Sequence, residues 1–243
     1  MLKIICLALI TVISGCASYT TPGGSISFNE LAEADVIDLM NRKPASSFPA
    51  NIAIARVQAP SYSNYRFTSH GTGRYSLITT REIETDKDLK QLAEMPMVAQ
   101  IGWLNKLFIP NHLDSIKALR LAAARIKSDI LLIYSFDTSF HVGEQQLAPL
   151  NTILLGFLDN KDVSVVTTVS AAFFDVRTEY LYGLSEASSK QSDNSSIWST
   201  QSVVDDLRVT TEKEAFKKLI PEIEKTWKEI VRTYQKNDII NDG

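Results

Sequence analysis

The chain has 243 residues and a mass of 27.1 kDa, with 44% hydrophobic and 22% charged side chains. This composition is that of a globular protein, and it excludes collagen-like, disordered and polytopic membrane classes. The 25 basic side chains are outnumbered by 28 acidic ones, which leaves no basic excess to neutralise phosphates. Nucleic acid is therefore not an expected partner.

The amino terminus has the pattern of an export signal. Lys3 precedes an apolar run over residues 4–13, and the small residues Ser14 and Gly15 follow it. The run is far shorter than the roughly 20 apolar residues that span a bilayer as a helix. The pattern predicts a signal peptide over residues 1–15.

The end of this segment, Ile13-Ser14-Gly15-Cys16, resembles the bacterial lipobox. The resemblance implies cleavage between Gly15 and Cys16 and lipidation of Cys16, whose thiol takes a diacylglyceryl group with fatty acyl chains such as palmitate; an ordinary secretory signal is the alternative. Cys6 would leave with the signal, so we expect no thiol catalysis, no disulfide and no cofactor besides the covalent lipid. Similarity to sorted lipoproteins, with Ala17 after the cysteine, favours the periplasmic face of the outer membrane.

The exported part is predicted to have one folded region with two flanking segments. Residues 16–27 are small and turn-forming, with Pro22 and two glycines at their centre, and predict a flexible tether after the lipidated cysteine. Residues 28–236 predict a single periplasmic domain, and residues 237–243 a disordered tail.

The first half of the domain contains alternating helix and strand patterns. Ser27 and Glu30 have the spacing of a capping box, and apolar residues follow them at helical intervals. The patterns predict a helix over 28–42, a strand over 51–57, a long loop over 58–74, a strand over 75–80, a helix over 85–95 and a short strand over 98–101.

A helix followed by a buried strand is predicted next. Asn111 is a candidate cap for a helix that extends to Ile126. The continuous apolar run over residues 130–134 is typical of a central strand covered on both faces.

Residues 163–173 alternate with period two, which indicates a strand. A short turn leads to residues 180–184, which predict an antiparallel hairpin partner. The serine-rich stretch over residues 188–200 is predicted to be mobile.

The last element has the strongest helical periodicity, from Phe216 to Tyr234. Thr211 and Glu214 have capping-box spacing, and Pro221 predicts a kink or a break into two helices. Together the patterns predict a single α/β (α+β) domain in which helices pack on a mixed sheet and a long C-terminal helix closes the fold.

Two stretches resemble a group of envelope proteins: LRLAAARIKSDILLIYSF (119–136) and SAAFFDVRTEYLYGLSEAS (170–188). They are similar to the helix-strand unit and hairpin of the curli-secretion lipoprotein, of lipoprotein activators of penicillin-binding proteins and of the amino-terminal domain of the Tol translocation protein. The resemblance implies a small α/β fold that acts through protein contacts. Glu179 stands where those families often place glycine.

Complete catalytic or metal-binding motifs are not found in the sequence. His70-Gly71-Thr72-Gly73 is similar to an esterase oxyanion loop, but the best nucleophile-elbow match, at Ser185, lacks its last glycine. His70, His112 and His141 have no metal-ligand spacing. We therefore expect no catalytic residues and no metal site, although an unrecognised hydrolase stays open.

Four aromatic residues in and beside the long loop, Tyr62, Tyr65, Phe67 and Tyr75, are candidate partner-binding residues. The alternative is that they fold back onto the core. The leading hypothesis is an outer-membrane lipoprotein whose domain binds another envelope protein without catalysis. Because residues 163–173 have the length of a membrane barrel strand, an oligomeric export pore is a second hypothesis.

Overall fold

The computed structural model describes residues 18–28, 35–60, 62–142, 145–147, 152–155, 163–193 and 201–240. The helices in these residues are α1 (Val36–Asn41), α2 (Asp86–Ala93), α3 (Lys117–Arg125) and α4 (Gln201–Ile240), and a 3₁₀ turn covers Lys106–Phe108. The strands are β1 (Ser18–Thr20), β2 (Ala50–Gln58), β3 (Thr72–Gly73), β4 (Ser76–Ile78), β5 (Val98–Trp103), β6 (His112–Leu113), β7 (Ile130–Val142), β8 (Gln145–Leu147), β9 (Thr152–Leu154), β10 (Val163–Asp175) and β11 (Leu181–Asp193).

A seven-stranded mixed sheet forms the centre of the domain. Its order is β11-β10-β7-β2-β4, with β5 also paired to β2 and β8 to β7. β2 runs parallel to β7 and β5, whereas β10 is antiparallel to both of its neighbours. The mixed sheet and the long C-terminal helix confirm the predicted α/β (α+β) fold, and β2, β4, β5 and α2 lie within a few residues of their predicted bounds.

The predicted central strand is β7, and it separates two cores. Ile130, Leu132 and Tyr134 enter the core beneath α4, whereas Leu131 and Ile133 enter the core beneath α3. Burying an aliphatic side chain of this size contributes about 1.5–3 kcal/mol to stability. The apolar run is continuous because each face of the strand is covered by a helix.

α4 packs its apolar stripe on one face of the sheet, and the predicted periodicity is confirmed. Phe216, Ile220, Ile223, Trp227 and Ile230 are all buried there. The indole nitrogen of Trp227 donates a hydrogen bond to the Pro96 carbonyl at 2.6 Å, which joins the helix to the turn after α2.

The predicted start and break of this helix are wrong. α4 begins at Gln201, so Thr211 lies inside it, where its hydroxyl donates to the Leu207 carbonyl at 2.8 Å. Pro221 also lies inside a continuous helix. Its ring faces solvent between the buried Ile220 and Ile223, and the packing of these neighbours holds the helix together despite the missing backbone donor.

The predicted cap of α3 is wrong as well. The helix begins at Lys117, and Asn111 instead accepts a hydrogen bond from the Thr72 amide at 2.6 Å. Gly73, with φ of 106°, approaches so closely that an added Cβ would lie 2.6 Å from the Leu113 carbonyl oxygen. The segment that was predicted to start the helix is therefore paired with β3 instead, and Asn111 does not cap α3.

The helix predicted over 28–42 is found only in part, as α1; the backbone is extended at Asp35, which caps α1, so the prediction of one continuous helix is wrong. Residues 29–34 lie outside the described residues. The apolar side chains of α1 are exposed, and Met40 reaches 82% exposure. The described helix is too short to present a buried stripe to the sheet.

The flexible tether predicted over residues 16–27 is wrong from Ser18 onward. Ser18–Thr20 form β1, and Tyr19 is only 2% exposed. Further along, the Gly24 carbonyl accepts a hydrogen bond from the Ala59 amide at 3.0 Å. Burial of Tyr19 and these backbone pairs offset the entropy cost of ordering the segment.

Further predictions concern the ends of elements. The tail predicted from residue 237 is wrong as far as Ile240, where α4 ends. β11 reaches Asp193, so the serine-rich segment is strand to that point, and residues 194–200 lie outside the described residues. Alternate β10 side chains such as Val165 and Phe173 are buried, which accounts for the period-two pattern within the domain.

The turn between β10 and β11 is organised by one carboxylate. Asp175 accepts hydrogen bonds from the amides of Arg177, Thr178 and Ala45 and from the hydroxyls of Ser46 and Tyr182, all at 2.8–3.0 Å. Burial raises the pKa of Asp175, but these donors outweigh burial and hold its pKa below the usual value.

Candidate functional site

A surface groove of about 580 Å³ lies between α3 and the 3₁₀ turn that precedes it. The turn contributes Leu107, Phe108, Ile109 and Pro110, and the segment leading through α3 contributes His112, Asp114, Ser115, Lys117, Ala118, Leu121 and Arg125. We refer to this surface as the α3 groove. Most of its large side chains are apolar, so the groove suits an apolar ligand group.

Local structure keeps three apolar side chains of the α3 groove in solvent. Leu107 is 81% exposed, Leu121 56% and Phe108 44%. α3 buries Leu119 and Ala122 in the core, so Leu121 faces outward. The Asn105 side chain accepts a hydrogen bond from the Leu107 amide at 3.0 Å, which caps the 3₁₀ turn and fixes its position.

The rim of the α3 groove is basic. Lys117 and Arg125 are both exposed, and Arg125 also donates to the Phe108 carbonyl at 3.3 Å. Asp114 is the acidic lining residue, and the His112 ring lies 3.0 Å from its carboxylate. This arrangement favours a ligand that combines apolar groups with a negative charge.

The predicted aromatic site does not form as a surface. Tyr62 and Tyr75 are buried, which corrects their assignment as partner-binding residues. Tyr75 donates to the Ser115 carbonyl at 3.0 Å, and Tyr62 lies over Phe67, which is partly buried. Tyr65 alone among the four is exposed, at 54%.

The histidines singled out in the sequence are dispersed. The His70 ring nitrogen Nε2 lies 3.4 Å from the Ile109 carbonyl oxygen, whereas the His112 ring lies beside Asp114. His141 is in β7. Within the described residues, no group of three or more His, Cys, Asp or Glu side chains could hold a metal ion.

Ser185 lies in β11 and its hydroxyl donates to Thr226 at 2.9 Å. A nucleophile elbow instead places serine on a strained turn between a strand and a helix. The position of Ser185 therefore gives it a packing role between β11 and α4.

A buried charge cluster lies under α4 at the β4 side of the sheet, and it was missed in the sequence. Arg208 contacts Asp205 at 2.9 Å, Glu212 at 2.7 Å and Glu82 at 3.1 Å. Arg56, which is also buried, lies 3.4 Å from Glu212. Arg56 interrupts the apolar run from Ile52 to Val57 in β2, and this is the sequence signal that could have revealed the cluster.

The electrostatics of the cluster keep both arginines charged. Burial lowers the pKa of Arg208, but Glu212, Tyr62 and Asp205 reverse that effect and hold its pKa above the usual value. Burial raises the pKa of Tyr62 to about 12. The cluster therefore holds paired charges in the interior of the domain.

Cys16 and Gly15, the predicted lipidation and cleavage residues, lie outside the described residues, as does the signal peptide over 1–15. Among the described helices, none is long and apolar enough to cross a bilayer. Lipidation of Cys16 stays a prediction from the sequence.

No family matches the chain, and no curated protein is similar enough to count as a match.

Proposed function

We propose that this chain is an outer-membrane lipoprotein whose periplasmic domain binds another envelope protein, without catalysis, through the α3 groove. The exposed apolar groove with its basic rim is the observation that carries the proposal. The lipobox-like sequence at Cys16 supports the location.

The apolar side chains of the groove supply the energy for binding. Fully burying a side chain of the size of Leu107, Phe108 or Leu121 contributes about 1.5–3 kcal/mol. A few such anchors dominate the affinity of a typical protein interface. Arg125 fixes the turn through its bond to Phe108, so the groove needs little reorganisation on binding.

The expected ligand is a segment of another protein with apolar side chains and at least one carboxylate. The carboxylate would pair with Lys117 or Arg125 on the rim. Charge pairs of this kind fix register and speed association more than they raise affinity.

Photo-cross-linking in living cells tests this proposal. A photoreactive amino acid replaces Leu107, and a matched probe replaces Leu184, an exposed residue of β11 on another surface. We expect an adduct with one envelope protein from position 107 whose linked peptide contains apolar and acidic residues. Equal adducts from positions 107 and 184 would contradict the proposal.

Polar substitutions provide a second test. Leu107→Gln with Leu121→Gln should abolish the adduct of a probe placed at Lys117, whereas Leu184→Gln should leave it intact. Both leucines are exposed, so the melting temperature should stay close to that of the wild type. An unchanged adduct in the double variant would exclude the groove as the binding surface.

The anchor has its own test. Labelled palmitate should enter the wild type and fail to enter Cys16→Ala. Each buried methylene contributes about 0.8 kcal/mol of membrane affinity, so two or three acyl chains hold the protein firmly. Equal labelling of both forms would overturn the lipoprotein assignment.

A further inference from the structure

The first described residues of the chain are fixed to one end of the domain. β1 pairs with β9 through Ser18↔Leu154 and Thr20↔Thr152. The ring of Tyr19 lies 5.8 Å from that of Phe140, and its hydroxyl donates to Asp205 at 3.0 Å. The Gln201 side chain also donates to the Ser18 carbonyl. We call this surface, made of β1, β9 and the start of α4, the anchor end.

The position of Ser18 limits where Cys16 can lie. Ala17 alone separates the two residues, and consecutive Cα atoms are about 3.8 Å apart. The Cα of residue 16 therefore lies within about 8 Å of the Ser18 Cα. A lipid on Cys16 enters the bilayer from a point next to the anchor end.

The long elements of the domain extend away from this point. β7 and β10 pair from Val142↔Val163, near the anchor end, to Ile130↔Asp175. Each strand has 13 residues, which corresponds to about 40 Å. α4 runs in the same direction, since Asp205 contacts Tyr19 whereas the Tyr234 hydroxyl lies 2.9 Å from that of Tyr180.

The two ends differ in their exposed side chains. Around Ser18 the exposed described side chains of β1, β9 and the first two residues of α4 are uncharged: Thr20, Thr152, Leu154, Gln201 and Ser202. One turn further along α4, the exposed Asp206 pairs with Arg66. At the opposite end, which we call the far end, α1 exposes Val36, Ile37 and Met40. α3 belongs to the far end because Arg120 donates to the carbonyls of Val176 and Arg177.

We infer that the domain stands on the membrane, with the anchor end against the lipid headgroups and the far end about 40 Å away. The inference rests on the lipid anchor proposed above and deepens that proposal. Because Ser18 is paired in β1 and a single residue separates it from Cys16, the short connection holds this end of the domain against the headgroups. The α3 groove then faces the periplasm, so its ligand is a protein and the bilayer is not its partner.

Depth-dependent fluorescence quenching tests this orientation. The lipidated protein retains no other cysteine, so Leu154→Cys, Met40→Cys and Leu121→Cys each accept a single dye. Each variant is reconstituted in vesicles of phosphatidylethanolamine and phosphatidylglycerol that contain nitroxide-labelled lipid. We expect strong quenching at position 154 and quenching near background at positions 40 and 121. Equal quenching at all three positions, or stronger quenching at 40 or 121, would overturn the orientation.

A lengthened tether is the matched control. About 12 Gly and Ser residues inserted between Ala17 and Ser18 reach on the order of 20 Å and should weaken the quenching at position 154. Quenching that stays unchanged would show that the short connection does not hold the domain in place, which contradicts the inference.

Flotation of the same samples with the vesicles separates the two proposals. Protein that floats but shows equal quenching at positions 154 and 40 refutes the orientation and leaves the anchor intact. Protein with an unmodified Cys16 that fails to float refutes the anchor and the orientation together. Mass spectrometry of the Cys16 peptide identifies which case applies.

Discussion

The Glu179 carboxylate accepts a hydrogen bond from the Arg120 guanidinium at 2.6 Å, and its other oxygen lies 2.9 Å from that of Arg42. The two ion pairs connect the turn after β10 to α3 and to the segment after α1. Glu179 has φ of 61°, a conformation that favours glycine. The two ion pairs of the Glu179 side chain therefore offset the free energy that any residue other than glycine costs in this backbone conformation.

Glu179→Ala should be more destabilising than Glu179→Gly. Both variants lose the two partly buried ion pairs, but alanine keeps the backbone cost of about 1 kcal/mol that glycine relieves. We expect the free energy of unfolding to fall by about 2 kcal/mol for alanine and about 1 kcal/mol for glycine. Urea denaturation followed by tryptophan fluorescence measures both values.

Arg42→Gln provides the control for this comparison, because it removes one ion pair and leaves the Glu179 backbone unchanged. A smaller loss than for Glu179→Ala is expected. Equal stability of the alanine and glycine variants would contradict a strained backbone at residue 179.

Gly183→Ala should push β11 away from α4. An added Cβ at residue 183 would lie 2.7 Å from Cγ2 of Thr226, which is closer than carbon atoms pack. Overpacking of this kind typically costs about 1–3 kcal/mol. Chemical denaturation of the single variant measures the loss.

Thr226→Ser rescues the overpacked variant if the contact is the cause. Serine lacks the clashing methyl group but retains the hydroxyl that bonds Ser185. The double variant should recover most of the lost stability, although Thr226→Ser alone is close to neutral. A double variant no more stable than Gly183→Ala would assign the cost to the strand backbone.

The predicted elements that were confirmed are those whose periodicity reports burial. β7 and the stripe from Phe216 to Tyr234 are apolar because the sheet and α4 cover each other. Their burial is therefore visible in the sequence as a pattern of apolar residues. The errors at Asn111, Thr211 and Pro221 came from local signals for helix caps and breaks, and those at the tether, the serine-rich segment and the tail came from local composition. A cap contributes about 1 kcal/mol, which packing over a long helix readily outweighs.

Acid should weaken the fold partly through Asp175. Because its folded pKa lies below the usual value of 3.8, the native state binds fewer protons than the unfolded state near that pH. The stabilisation is present above the unfolded pKa and is lost as the pH falls through the folded pKa. Urea denaturation of the wild type at a series of pH values below 5 should show this loss.

Asp175→Asn should flatten that dependence. The amide removes the titrating group, and its NH₂ donors oppose the donors of Ala45 and Tyr182. We expect a loss of about 2–3 kcal/mol at neutral pH and a smaller difference from the wild type below pH 4. A difference that grows on acidification would contradict the role given to the carboxylate.

The α3 groove and the buried charge cluster were harder to predict than the fold. A leucine at position 107 or 121 reads the same in the sequence whether its side chain is buried or exposed. The packing of α3 alone decides that both side chains face solvent. The interacting charges of the cluster come from β2, α4 and the chain before α2, and are separated by as many as 156 residues. Contacts between such distant segments leave no periodic signal in the sequence.

Substitutions at the centre and at the margin of the buried charge cluster should lower the free energy of unfolding by very different amounts. Arg208→Met removes the one side chain that contacts Asp205, Glu212 and Glu82 together, and leaves buried carboxylates without their partner. Breaking a buried pair in this way costs about 3–5 kcal/mol. Arg66→Gln removes an ion pair to the same Asp205 from a side chain that is 44% exposed, so its cost should stay below about 1 kcal/mol. Adding Glu82→Gln to Arg208→Met should recover part of the loss in urea denaturation, because Glu82 pairs with Arg208 and its charge is removed together with that partner, whereas Glu212 keeps Arg56. If the second substitution instead adds its full cost, Arg208 and Glu82 act independently and the cluster is not a coupled unit.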